Sequence, residues 1–342
     1  MPPWKRPLPD ALDIEDTPAL LAWLRETGRI GPDEQPRVRN LQGGVSNRTV
    51  WIERPAGEAW VLKQALAKLR VPVDWFSSPE RIHREALGLR WLARLAPPGS
   101  ITPLLFEDRE HHLMAMKAVP QPHENWKAVL LSGRIRGDHV RQFATLLSTI
   151  HRAAAQSSEL AEIFGDRSFF ESLRLEPYYA YSAQQAPAAA GFLNALIDET
   201  RACRITLVHG DYSPKNVLIH ADRLVLLDHE VIHFGDPAFD LGFALTHLLS
   251  KAHHVSRYRR EFLAAADEFW QVYSQAAGAE SESRAVRHTL ACLLARVAGR
   301  SPLEYLTPQE RERQQDAVLD MMPNPPRRVA ELIRVFERHL CP

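Results

Sequence analysis

Apolar positions recur along the chain with a helical period, then with the alternation of strands, then with a helical period again. In "TPALLAWLRETG" Thr17 is the expected cap, Pro18 opens the first turn and Gly28 stops the run, so a short leading helix is predicted. "RVRNLQ", "NRTVWIER" and "EAWVLKQA" then alternate as an antiparallel meander would, with Pro55-Ala56-Gly57 turning the last two. A helix is predicted over about residues 79–95, capped by Ser77 or Ser78 and ended by Pro97-Pro98. Two further strands, "ITPLLFE" and "HHLMAMKAV", meet at the charged turn Asp108-Arg109-Glu110. From residue 136 onward Val140, Phe143, Leu147 and Ile150 return at helical spacing, and only the short runs "TLV", "VLI" and "RLVLLD" interrupt the helices that follow. The pattern therefore predicts an α+β, bilobal chain. Residues 1–119 form an antiparallel-sheet N-terminal lobe with one long helix, and residues 120–342 a mainly helical C-terminal lobe. "KAVPQPHENW" reads as the linker.

Composition narrows the partners. Hydrophobic residues make up 45% and charged residues 25% of 342, an ordinary globular balance in a chain long enough for two cores. Lys plus Arg and Asp plus Glu stand at 42 each, which leaves no strongly basic field for nucleic acid. No run approaches the ~18 apolar residues of a membrane span, and "MPPWKRPLPD" lacks the apolar stretch of a signal peptide. Cys203, Cys292 and Cys341 are far apart and show no C-x-x-C spacing, which suits a reducing compartment. A cytoplasmic monomer or homodimer without nucleic-acid or membrane partners is expected.

The densest chemistry lies in "LVHGDYSPKNVLIHADRLVLLDHEVIH", residues 207–233, and two readings compete for it. The H-E-x-x-H string would bind zinc through His229 and His233 one helical turn apart, with Glu230 as general base. That motif needs a helix, whereas "RLVLLD" before it reads as a strand and Gly235 and Pro237 follow directly. A zinc hydrolase is the remote alternative. Phosphoryl transfer from ATP needs a carboxylate to orient the acceptor hydroxyl, plus an Asn and an Asp to hold Mg²⁺ against the phosphates. Asp211 and Asn216 have the spacing of the Asp and Asn in a protein-kinase catalytic loop, and Asp228 follows the next predicted strand. A strand, turn and strand of these lengths bring Asn216 and Asp228 to neighbouring strands.

With "HGDYSPKN" (His209 to Asn216), "LLDHE" (Leu226 to Glu230) and "GDPAFDL" (Gly235 to Leu241), the chain resembles the aminoglycoside phosphotransferase and choline kinase family, which has a protein-kinase-like fold. The resemblance implies that Asp211 is the catalytic base, that Asn216 and Asp228 bind Mg²⁺ with Glu230 assisting, and that Asp240 braces the catalytic loop. It also makes Met116 to Val119 the segment contacting adenine. "VLKQALAKLRV", Trp75 and "AVLLSGRI" add a front lobe similar to methylthioribose kinase, although that group has Ser at the position of Asn216.

The front lobe supports the same chemistry. If Ile82, Leu89 and Leu92 mark the buried face of the long helix, Glu85 lies on it and needs a partner. Lys63 in "WVLKQA" is the natural one, since kinases aim a strand lysine at the phosphates with a helix glutamate. "LQGGVSNRT" is the expected phosphate-covering turn, with Gly43, Gly44, Ser46 and Asn47 near the nucleotide. Residues 244–300 hold eight Lys or Arg against five acids, a balance that disfavours a polycationic acceptor. The expected reaction is transfer from ATP to a hydroxyl of a small metabolite, a sugar or polyol of the methylthioribose type. An aminoglycoside or choline-type amino alcohol is the alternative.

Overall fold

The computed structural model describes residues 12–41, 44–70 and 75–340. The chain divides into two compact units, one made of Met1–Arg94 and Ile101–Gln121, the other of Leu95–Ser100 and Pro122–Pro342.

The first unit is built on a five-stranded antiparallel sheet. Its strands are β1 (Arg37–Asn40), β2 (Asn47–Glu53), β3 (Ala59–Ala65), β4 (Leu104–Asp108) and β5 (Leu113–Lys117), in the order β1-β2-β3-β5-β4. The leading helix α1 (Thr17–Glu26) is capped by Asp16, whose side chain accepts from the Ala19 amide, so Thr17 is the first helical residue and not the cap. Leu20, Trp23 and Leu24 of α1 pack on Val50, Ile52, Trp60, Leu62, Leu113 and Ala115, which closes one face of the sheet. Alternation sends the neighbours of those residues to the other face. Lys63, paired across the ladder with Thr49 and Met114, therefore points away from α1 and toward α2 (Arg81–Leu95). On α2, Ile82, Glu85, Leu89 and Leu92 are buried as their spacing predicts.

The second unit opens where a linker was expected. His123–Asn125 form β6, which pairs with β8 (Val217–His220), and Asn125 then caps α3 (Trp126–Leu131). The partner strand lies almost a hundred residues further along, so no local pattern could announce this pairing. The helices that follow are α4 (Gly137–Ala154), α5 (Ser158–Ile163), α6 (Ser168–Phe170), α7 (Tyr181–Gln185) and α8 (Ala190–Ala202), with a π-helical stretch at Glu171–Ala180. β7 (Thr206–Val208) pairs with β10 (His233–Gly235), and β8 forms a tight hairpin with β9 (Arg223–Leu226) whose turn residues Ala221 and Asp222 both have positive φ. The remaining helices are α9 (Pro237–His254), α10 (Arg259–Ala277), α11 (Glu282–Ala298), α12 (Pro308–Met321) and α13 (Val329–Leu340).

Helix α9 is the axis of this unit, and every residue from Pro237 to His253 is buried. α11 approaches it at Gly242, where an added Cβ would sit 2.5 Å from the His288 Cβ. Among the described residues no helix is long and apolar enough to cross a membrane. Cys203 and Cys292 are free thiols, and Cys341 lies outside the described residues.

Candidate active site

The loop between β7 and β8 has no ladder to take up its backbone polar groups, so each must be met individually. Asp240, in the first turn of α9 and wholly buried, accepts the backbone N–H of His209 at 2.7 Å and that of Gly210 at 2.8 Å. His151 of α4 lies 3.2 Å from the same carboxylate and 2.8 Å from the Tyr273 hydroxyl. The His209 ring accepts the Asp211 N–H at 3.2 Å through Nδ1, as a neutral imidazole can, and burial is what lowers the pKa of that ring. Arg174 Nε donates to the Gly210 carbonyl at 2.7 Å, and Asn216 Nδ2 to the Asp211 carbonyl at 3.0 Å. Gly210 itself has φ of 77°, and a Cβ there would meet Val231 Cγ2 at 2.8 Å. Only glycine fits.

The Asp211 carboxylate is the electrostatic centre of this loop. Its Oδ2 lies 2.9 Å from Arg174 and 3.1 Å from Lys215, while Oδ1 is buried without a hydrogen-bond partner. Burial alone would raise its pKa, but Arg174 first and then Lys215 outweigh burial and hold the carboxyl well below the usual range. Arg174 belongs to the π-helical stretch, which also contains Pro177. Nothing local in the sequence marks Arg174 as part of the site. Lys215, four residues after Asp211, could have been found inside the quoted motif.

Asn216 precedes β8, and its carbonyl accepts the Leu227 amide at 2.8 Å. One residue later Asp228 leaves the strand with φ of 69°, a left-handed conformation that Asp tolerates better than most residues. The hairpin thus sets Asn216 opposite Leu227, the chain neighbour of Asp228, at one end of the β8–β9 pair. Glu230 is buried in the turn that follows, and its charge and that of Asp228 both act on Arg174. The zinc reading does not survive. His229 lies in an irregular segment, while His233 sits in β10 opposite Val208 with its ring stacked 4.0 Å from Phe170. Pairing with β7 uses the residues that a metal-binding helix would require.

In the first unit Lys63 Nζ meets Glu85 Oε1 at 2.6 Å, and Glu85 is fully buried. Gly43 lies outside the described residues, and Gly44 is exposed just before β2. Ser46 and Asn47 are tied into the sheet: the Ser46 carbonyl accepts from Leu66 at 3.0 Å and from the Arg81 guanidinium, and Asn47 Nδ2 donates to Ser46 Oγ at 3.2 Å. Met116 is buried in β5, where its sulfur accepts from Thr102 Oγ1 at 3.4 Å, and Val119 is buried two residues past the strand.

Residues 37–282 match the phosphotransferase enzyme family. The chain belongs to that family. It is 25% identical over 260 residues to a methylthioribose kinase of Pectobacterium atrosepticum, covering 66% of this chain and 63% of that protein. It is 24% identical over 309 residues to methylthioribose kinase 2 of Oryza sativa subsp. japonica, covering 78% and 71%. The chain spans about 63% of the length of the bacterial relatives it matches. Among solved structures it is similar to amicoumacin kinase hAmiN in complex with AMP-PNP and Ca²⁺, with a TM-score of 0.60 at 15% identity over 93% of this chain and 97% of that one. That likeness shows a shared protein-kinase-like α+β fold.

In this member of the phosphotransferase family, five of the eight basic residues in 244–300 fall into two groups. Arg284, Arg287 and Arg300 pair with Asp236, Glu199 and Glu176. Lys251 and Arg296 are instead buried. Arg296 donates to the Tyr178 hydroxyl at 3.0 Å and lies 5.7 Å from that ring, with Arg174 at 5.6 Å from it. Lys251 donates to the His247 carbonyl at 3.1 Å and shares the Tyr305 ring with Lys127. Behind the Asp211 loop two buried guanidiniums, those of Arg174 and Arg296, therefore flank the Tyr178 ring.

Removing the Asp240 carboxylate would strand two buried backbone donors and His151. Asp240→Ala is expected to cost about 3–5 kcal/mol, the range for breaking a buried charged network, with a denaturant midpoint well below that of the parent. A midpoint within error of the parent would show that the loop does not depend on it.

Lys251 gives a pH test. Burial, with Lys127 and Arg296 adding repulsion, pushes its ammonium down to about 7. The unfolded chain holds that proton up to about pH 10.4, so stability rises with pH between the two values, and below 7 the full cost of a buried cation is present. Lys251→Met is expected to raise the melting temperature more at pH 6 than at pH 9. Equal gains at both would contradict the assignment.

Proposed function

We propose that this protein is an ATP-dependent small-molecule kinase. It transfers the γ-phosphoryl group to a hydroxyl of a sugar or polyol of the methylthioribose type, with Mg²⁺ as cofactor. The observation that carries the reading is the Asp211 carboxylate, held on one oxygen by Arg174 and Lys215 while its other oxygen is buried without a partner. A buried acceptor oxygen of that kind calls for a donor, and the hydroxyl of the substrate is one.

In the proposed reaction the acceptor hydroxyl donates to Asp211 Oδ1, and its oxygen attacks the γ-phosphorus. The new oxygen–phosphorus bond forms as the bond to the bridging oxygen of ADP breaks, and the hydroxyl proton passes to Asp211. Because the carboxyl is so weakly basic, Asp211 orients the nucleophile and takes the proton late, which a loose phosphoryl-transfer transition state permits. Asn216 and Asp228, with Glu230 assisting, offer only oxygen donors, the set a hard cation takes. Bound Mg²⁺ would neutralise charge on the β- and γ-phosphates. Lys63, aimed by Glu85, serves the α- and β-phosphates, with Gly43, Gly44, Ser46 and Asn47 near them and Met116 to Val119 at the adenine. The relative solved with AMP-PNP supports a nucleotide donor.

The names of the relatives and the buried guanidiniums of Arg174 and Arg296 favour a neutral or anionic polyol over the alternatives, an aminoglycoside or a choline-type amine, since fixed cations oppose a cationic acceptor. A coupled ADP-release assay across methylthioribose, other pentoses, kanamycin and choline tests this. We expect turnover of pentose derivatives, and turnover confined to kanamycin-like compounds would reverse the choice.

Asp211→Asn is expected to lower kcat by about 10²- to 10⁴-fold with nucleotide binding nearly intact. Because the pKa of Asp211 lies below its ordinary value, the parent kcat should show no acid limb from this group between pH 5 and pH 7. Full activity of Asp211→Asn would remove it from the mechanism.

A further inference from the structure

Away from the nucleotide-binding residues, the first unit brings three metal-ligating side chains together. Glu80 lies in the turn before α2, His83 in the first turn of that helix, and His112 at the turn between β4 and β5. One ligand atom from each lies within 4.8 Å of the others, and no other such group occurs among the described residues. His83 is 7% exposed, and its Nε2 is buried without a hydrogen-bond partner. Its other nitrogen, Nδ1, lies 3.3 Å from Glu107 Oε2, and Glu107 is in turn held by Arg90 at 3.0 Å. A histidine oriented by a carboxylate on one nitrogen and open on the other is the usual arrangement around a bound metal.

The remaining geometry agrees. Glu80 Oε1 and His112 Nδ1 are 3.5 Å apart, too long for a good hydrogen bond. Two ligands at about 2.0–2.1 Å from a tetrahedral ion stand roughly 3.3–3.4 Å apart. The His83 and His112 rings are 5.7 Å apart at 52°, so they are not stacked on each other. His112 also keeps a φ of 47°, a conformation uncommon outside glycine that calls for support from its surroundings.

We propose that Glu80, His83 and His112 form a binding site for a divalent transition metal of zinc type. Glu107 is the carboxylate that orients His83, and a fourth position is left to solvent. Two imidazoles and one carboxylate suit zinc and its first-row neighbours and are poor ligands for magnesium. The ion would tie the start of α2 to the β4–β5 turn. Since Glu85 lies two residues beyond His83, the metal would also fix the helix that presents Glu85 to Lys63. The proposal is independent of which acceptor the enzyme uses.

The test uses the full chain, stripped of metal with a chelator and titrated with Co²⁺ while its visible absorption is followed, and with Zn²⁺ by calorimetry. We expect one saturable equivalent. His112→Ala should weaken it by more than about 100-fold, and Glu107→Gln by about 10- to 100-fold, as expected for a group that orients a ligand. Glu80→Gln, at an exposed position, should weaken binding without unfolding the chain, and His220→Ala in the second unit should leave it unchanged. If the parent takes up no stoichiometric metal, or if His112→Ala binds as tightly as the parent, the site does not exist.

Discussion

The Asp240 carboxylate is the fixed point on which the candidate site is assembled. It sits in the first turn of a helix that is buried on all sides, so it cannot move without that helix. Its two oxygens take the N–H groups of His209 and Gly210, and His151 closes the remaining side. A buried carboxylate without such partners would be too costly to keep. Here the same bonds that satisfy it set the path of the loop, and with it the direction of Asp211 one residue later. Asp240 touches no reacting atom in the proposed chemistry, yet the reacting carboxylate inherits its position from it.

The second constraint is charge. Asp211 is surrounded by Arg174 and Lys215, and behind Arg174 the interior continues through Tyr178 to Arg296. Several cations on the surface of the second unit, among them Arg134, Arg141, Arg201 and Arg300, are matched by acids, which contributes little to stability. Buried Lys251 and Arg296 are matched by carbonyls, hydroxyls and aromatic faces instead. Such partners satisfy the donors of a cation without cancelling its charge. In the proposed reading that charge is what favours an electron-rich acceptor, a preference that family membership by itself does not supply, because one fold hosts many functions.

The first unit shows how one helix can serve two ends. Alternation along β3 sends Leu62 to the α1 face and Lys63 to the α2 face, where Glu85 meets it. Two residues earlier on the helix, His83 turns toward Glu107 and His112. The start of α2 is anchored by Arg81, which donates to the Ser46 and Leu66 carbonyls, and by His83 beside Glu107.

Much of this was determined by the sequence alone, because its signals are local. Period and turn residues marked the meander, the long helix and the β8–β9 hairpin. The spacing of Asp211, Asn216 and Asp228 marked the loop as the candidate site, and the helical face of Ile82, Leu89 and Leu92 placed Glu85 inside. Only the tertiary structure decided the rest, because those relations join residues far apart in the chain. Arg174 reaches Asp211 from a π-helical stretch with no motif of its own, and β6 replaces an expected linker by pairing with a strand that begins at Val217. The H-E-x-x-H string failed as a metal site because β10 is claimed by β7. Glu80, His83 and His112 come together only when a helix and a distant turn pack against each other, and side chains 29 residues apart (112 − 83) have no period by which to be recognised.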